Sequence, residues 1–188
     1  MALLRFIGIA NASIWAGTAF FFTAVAGPAL FSKETLEIFG GSNNLEAARF
    51  FAGSVAQILL DRYFSIQIVC GAIALLLLMA EWLYWGRPVQ ERTLLWAAGL
   101  FTLVLLGAYG FQPKLHQLHR TMYGVGAKVT YPQAQKARQT FSLWHGLSQA
   151  VNLVVCGGTL VYLWRVSQPP PSARFVNRSP TGSNQFRV

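Results

Sequence analysis

Acidic residues are scarce in this chain: 6 Asp and Glu stand against 15 Lys and Arg in 188 residues. Charged residues make up 11% of it, where a soluble domain carries about a quarter. No acid falls at the centre of a long apolar run, so the intramembrane carboxylate of a proton pump is missing. Cysteine is almost absent. Cys70 and Cys156 lie in separate apolar runs, at depths that differ by roughly 10 Å at ~1.5 Å rise per residue. They read as small packing residues, not as a disulfide or a clue to redox compartment. Gly40 to Asn44 is turn chemistry, with no Lys-Ser or Lys-Thr in the register of a phosphate loop. Gly124-Val125-Gly126 is too little for nucleotide binding, and neither a Ser-His-Asp signature nor a paired-cysteine metal motif occurs.

What the chain has is apolar length. Hydrophobic residues are 54% of it, concentrated in windows that the charges avoid. The sequence therefore predicts an all-α integral membrane four-helix bundle, with spans at about 6–26, 63–85, 94–111 and 141–164. Residues 1–166 form one domain, and the Pro-, Ser-, Arg- and Asn-rich stretch 167–188 is expected to be a disordered tail. Met1 to Arg5 ahead of an apolar run resembles a secretory signal, with Ala24-Val25-Ala26 as its cleavage site. The apolar run exceeds a signal core, however, and a retained helix is expected. Its small residues Gly8, Ala12, Ala16 and Ala19 form a stripe that admits a close neighbour. Pro28 marks a stop or bend. Leu45 to Leu60, with Ser42 to Asn44 as N-cap candidates, reads as an additional interfacial helix or an extension of span two. The turn 86–92 makes spans two and three antiparallel neighbours, and Gly107, Ala108 and Gly110 mark close contact late in span three.

The formal charge of +9 would raise nucleic-acid binding in a soluble protein. Here the basic residues sit between and after the spans, which points to lipid headgroups and not to nucleic acid. Trp82, Trp85, Trp96, Tyr162 and Trp164 should share one interface level. An even number of spans puts both termini on one side. The basic residues are nearly balanced across the membrane, and the lesser weight of long loops places the termini in the cytoplasm. The expected location is the cytoplasmic membrane of a bacterium, with membrane-protein partners or a homo-oligomer as possible company.

Span four carries the clearest candidate site. His145, Ser148, Gln149, Asn152, Cys156 and Thr159 recur at three and four residues, a polar face on an apolar helix. Such a face should point into the bundle. Asn11, Ser13, Thr18 and Gln67 are its candidate partners. Either it serves interhelical hydrogen bonding, or it lines a small-solute or ion path. His116 and His119 stand at i and i+3 beyond span three. With His145 they are candidate ligands for Zn²⁺, Cu²⁺, Ni²⁺ or a haem. Against this, Lys114, Gln117 and Arg120 make the surroundings a solvated basic face without an acidic second shell. No cofactor is therefore expected. A haem- or metal-binding accessory subunit and a structural subunit of a larger membrane complex stand as alternative roles.

Two motifs carry a resemblance. Gly17, Phe20-Phe21-Phe22 and Val25-Ala26-Gly27-Pro28-Ala29-Leu30-Phe31 are similar to a family's first helix and exit. Phe141, His145-Gly146, Ser148 and Asn152 are similar to its fourth-helix motif. The chain resembles the transmembrane protein 205-like group, also called domain of unknown function 4149, over about residues 6–164. The resemblance implies a four-helix membrane protein with span one retained. It singles out Pro28, His145, Ser148 and Asn152, leaves His116 and His119 outside the pattern, and supplies no activity.

Overall fold

The structure is a computed structural model that describes residues 2–85, 91–125 and 129–168. The tail 169–188 and most of the second turn lie outside the described residues. The first span is helix α1 (Ala2–Phe21), a π-helical turn π1 (Phe22–Ala26) and a short α2 (Gly27–Leu30). A one-and-a-half-turn helix α3 (Lys33–Ile38) follows, with Ser32 accepting from the Thr35 N–H as its N-cap. Helix α4 (Leu45–Trp85) is continuous, so of the two readings of 45–60 it is the extension of span two. Asn44 caps it, its Oδ1 accepting from Ala47 N–H at 3.1 Å. The third span is α5 (Glu91–Leu105), a second π-helical turn π2 (Leu106–Phe111) and α6 (Gln112–Met122). Helix α7 (Tyr131–Ser167) is the fourth, opened by a capping box of Thr130 and Gln133.

The sequence-read loop 112–140 is thus mostly helix. The reason is length. Helix α4 has 41 residues and α7 has 37. At ~1.5 Å per residue they run to roughly 60 and 55 Å, nearly twice the ~30 Å hydrocarbon layer. Hydropathy marks only the part inside that layer. Glu46, Arg49, Lys136 and Arg138 fall in the first turns of α4 and α7, so the overhang is at that end. There Arg138 pairs with Glu46, and Phe50, His119, Tyr123 and Phe141 form an aromatic cluster joining α4, α6 and α7. This cap lies on the side opposite both chain ends.

Among the described residues, four helical spans are long and apolar enough to cross a membrane, at Leu3–Leu30, Leu45–Leu83, Arg92–Met122 and Tyr131–Ser167. Each packs on its two sequence-cyclic neighbours: α1 on α4, α4 on α5, α5 on α7, α7 on α1. The result is an up-down-up-down bundle, in which α4 and α7 are a diagonal pair. Large apolar side chains ring the outside: Leu76 is 64% exposed, Leu83 70% and Leu95 71%. So much exposed apolar surface requires lipid around it.

The core occupies the half nearer the termini. Ala12, Trp15, Cys70, Ala74, Leu100, Val155 and Tyr162 close it, with Trp15 edge-on to Tyr162 at 5.7 Å. The stripe Ala12, Ala16 and Ala19 is buried, as its spacing predicts. Of the small residues late in span three, Gly107 is buried against Phe64, while Gly110 faces open space. Both cysteines are free and buried. At the terminal end Trp96 donates to the Gly158 carbonyl at 3.0 Å and lies under the Arg165 guanidinium, which supports the shared aromatic level of α5 and α7.

Each π turn precedes a proline: Pro28 after π1 and Pro113 after π2. Proline has no N–H, and its ring clashes with the carbonyl four residues back in α geometry. Widening relieves the clash. Gly27 N–H bonds to Phe22 C=O and Gln112 N–H to Gly107 C=O, each five residues back. So neither proline ends its helix.

The α5–α7 contact is tight at Gly158, where an added Cβ would collide with Leu100. Gly158→Leu is expected to cost about 1–3 kcal/mol, read as a lower thermal midpoint in detergent. Gly157→Leu, whose Cβ meets nothing within 4 Å, should stay within about 0.5 kcal/mol of wild type. Equal midpoints for the two variants would contradict this packing.

Candidate functional site

Beyond the core, toward the cap, the four spans part around a cavity of about 560 Å³. Both π turns border it, through Phe22 and Thr23 on one side and Gly107 and Phe111 on the other. Val104 and Val155 belong both to its lining and to the core, so the cavity ends where close packing begins. Most of its wall is apolar. The polar exceptions are Thr23, Tyr63, Gln112, His145, Ser148, Gln149 and Asn152, and among the described residues no Asp, Glu, Lys or Arg lines it. Four of the six residues of the predicted polar face, His145, Ser148, Gln149 and Asn152, therefore line one place.

They do different things there. Asn152 is the crosslink. It accepts from the Tyr63 hydroxyl at 2.6 Å, and its amide nitrogen donates to Thr23 Oγ1 at 2.7 Å. Thr23 in turn donates to the Ala19 carbonyl at 2.7 Å. This chain joins three spans and includes the diagonal pair. His145, Ser148 and Gln149 make their hydrogen bonds within α7. The Ser148 hydroxyl donates to the His145 carbonyl at 2.8 Å, and Gln149 Nε2 lies 3.0 Å from His145 Nε2. With the amide donating, His145 Nε2 accepts and the ring proton sits on Nδ1, the neutral form. The His145 ring is stacked on Phe141, centroids 5.5 Å apart.

The expected partners of span four are corrected. Asn11 donates to the Cys70 carbonyl at 2.9 Å, Ser13 to its own helix at Ile9, and Gln67 to Thr18 Oγ1 at 3.0 Å. Asn11 and Gln67 tie span one to span two, while Ser13 is exposed and bonds only within α1. Cys156 and Thr159, at the far end of the polar pattern, are buried in the core, with the Thr159 hydroxyl spent on the Cys156 carbonyl. Tyr63 and Thr23 were missed. Tyr63 stands at the start of a span, and Thr23 is a lone hydroxyl in an apolar run. The available signal was that each lies one turn from a residue already on an inward face.

The histidines are placed apart in kind. His116 is exposed, His119 is buried in the cap and stacked on Phe50 with centroids 5.5 Å apart, and His145 faces the cavity. Among the described residues no three His, Cys, Asp or Glu side chains gather as metal ligands.

Fold and site together define a multi-pass integral membrane protein with a cavity in its bundle. Residues 11–124, more than half of the chain, match the family described as domain of unknown function 4149, and the protein belongs to that family. The match covers the first three spans; the cavity's polar face on α7 lies outside it. No curated protein and no solved structure matches the chain.

The division of labour is testable by stability. Asn152→Leu breaks two interhelical bonds and should cost about 1 kcal/mol, at about 0.6 per bond. Gln149→Leu breaks none between helices and should leave the thermal midpoint unchanged. Equal losses would show that the whole face serves packing.

Proposed function

We propose that this protein binds a small, uncharged amphipathic molecule in the cavity between its spans. The observation that carries the reading is that His145, Ser148 and Gln149 face the cavity yet bond to no other helix. Ser148 is half-buried and His145 and Gln149 are exposed, and interhelical packing does not account for these three. A concave apolar wall with a few convergent polar groups, at about 560 Å³, has the proportions of a small-molecule site. The lack of ionised lining residues favours a neutral ligand over an ion. The ligand's polar end meets Gln149 and His145, and its apolar body lies against Phe64, Leu103 and Phe111.

The polar face belongs to the small-solute reading of span four, but the close-packed core beyond Val104 and Val155 favours a one-ended site over an open channel. We place the chain with the transmembrane protein 205-like group, on the motif around His145 and Asn152. We also place it in the cytoplasmic membrane of a bacterium, with its termini cytoplasmic and the cavity opening toward the other side.

The test is binding of a neutral amphipathic fluorescent probe to the detergent-purified chain. Ser148→Phe, which fills the cavity from its wall, should weaken binding at least about tenfold, equivalent to 1.4 kcal/mol. Gln149→Leu should weaken a probe with a polar end but not its hydrocarbon analogue. If Ser148→Phe binds the probe as wild type does, the cavity is not the site.

A further inference from the structure

A second concavity lies on the outer surface, between α1 and α4. It measures about 570 Å³ and is lined almost wholly by apolar groups, among them Phe21, Leu30, Leu59 and Ile66, with Gly17 at its inner end. The stacked rings of Phe22 and Tyr63, 4.6 Å between centroids, belong to both concavities and divide this groove from the internal cavity. One cation lines it, Arg62.

Arg62 is placed and charged in a way that the protein does not use. At ~1.5 Å per residue, Arg62 and Trp82 on α4 stand ~30 Å apart, the thickness of the hydrocarbon layer. With Trp82 at one interface, Arg62 is at the headgroup level of the other. It makes no ion pair and no hydrogen bond among the described residues. The nearby acids are engaged elsewhere: Asp61 accepts from Gln112 Nε2 at 3.1 Å, and Glu37 pairs with Lys33. The groove therefore ends in a guanidinium whose N–H donors are unspent among the described residues.

We infer that this groove holds an anionic phospholipid of the surrounding bilayer, an acyl chain along α1 and α4 and the phosphate on Arg62. Hydrocarbon in the groove covers apolar surface between the helices, and the guanidinium meets phosphate oxygens with directed N–H donors. The inference is independent of the internal cavity's ligand, since it rests on the opposite side of the Phe22–Tyr63 pair.

The test is native mass spectrometry of the full chain in detergent, titrated with phosphatidylglycerol or phosphatidylcholine of identical acyl chains. Soluble glycerol phosphate is a third arm. Wild type should prefer phosphatidylglycerol by about fivefold, the effect of one basic residue at an anionic surface. Arg62→Gln should abolish the preference, and Arg62→Lys should keep most of it. Gly17→Leu, whose new side chain enters open groove space, should weaken both lipids while keeping the preference. Equal binding of the two lipids by wild type would overturn the inference. So would a retained preference in Arg62→Gln, an equal loss in the cap variant Arg49→Gln, or displacement of the lipid by glycerol phosphate. If Arg62→Gln does not fold, Gly17→Leu and Arg62→Lys decide the matter.

Discussion

A bilayer offers no water to a polar group, so each one that crosses it must find its partner inside the protein. Asn152 meets that demand by reaching across the bundle, with the Tyr63 hydroxyl on one side of its amide and Thr23 on the other. Helices α4 and α7 are diagonal and share little other contact at this level, so the bond fixes the distance across the bundle. On the terminal side of it the spans close on small residues and Trp15. On the cap side they part. The cavity thus begins where the crosslink sits.

The π turns belong to the same economy of backbone. Pro28 and Pro113 would each break an α-helix, yet each is absorbed by one widened turn, and the spans run on past them. Both widened turns border the cavity. The two halves of the chain repeat one plan: a span interrupted by a π turn and proline, then a longer continuous helix. The long helices carry the protein beyond the membrane on one side, where the Arg138–Glu46 pair and the rings around His119 hold α4, α6 and α7 together.

Much of this was legible in the residues. Apolar runs gave the number of spans, the alanine stripe gave the close face of α1, and the three- and four-residue spacing on span four gave the cavity's polar face. Two things were not legible. Hydropathy locates hydrocarbon, not helix ends, so the amphipathic overhangs of α4, α6 and α7 read as loop or interfacial helix. Hydrogen-bond partners depend on which helices are diagonal and at what depth, and spacing along one helix holds no such information. Hence Gln67 and Asn11, polar and conspicuous, turned out to serve the core, while Tyr63 and Thr23 held Asn152.

The central claim is a mostly apolar cavity with one polar face, closed on the terminal side by packed core. Thiol labelling with a small, membrane-impermeant reagent on the chain in sealed vesicles tests it most directly. Cys70 and Cys156 lie in the core and are buried. A cysteine replacing Ser148 would line the cavity. The account predicts that Ser148→Cys reacts from one membrane face only, the face opposite the N-terminus, while Cys70 and Cys156 stay unreactive. No reaction at Ser148→Cys, or reaction from both faces, would contradict it.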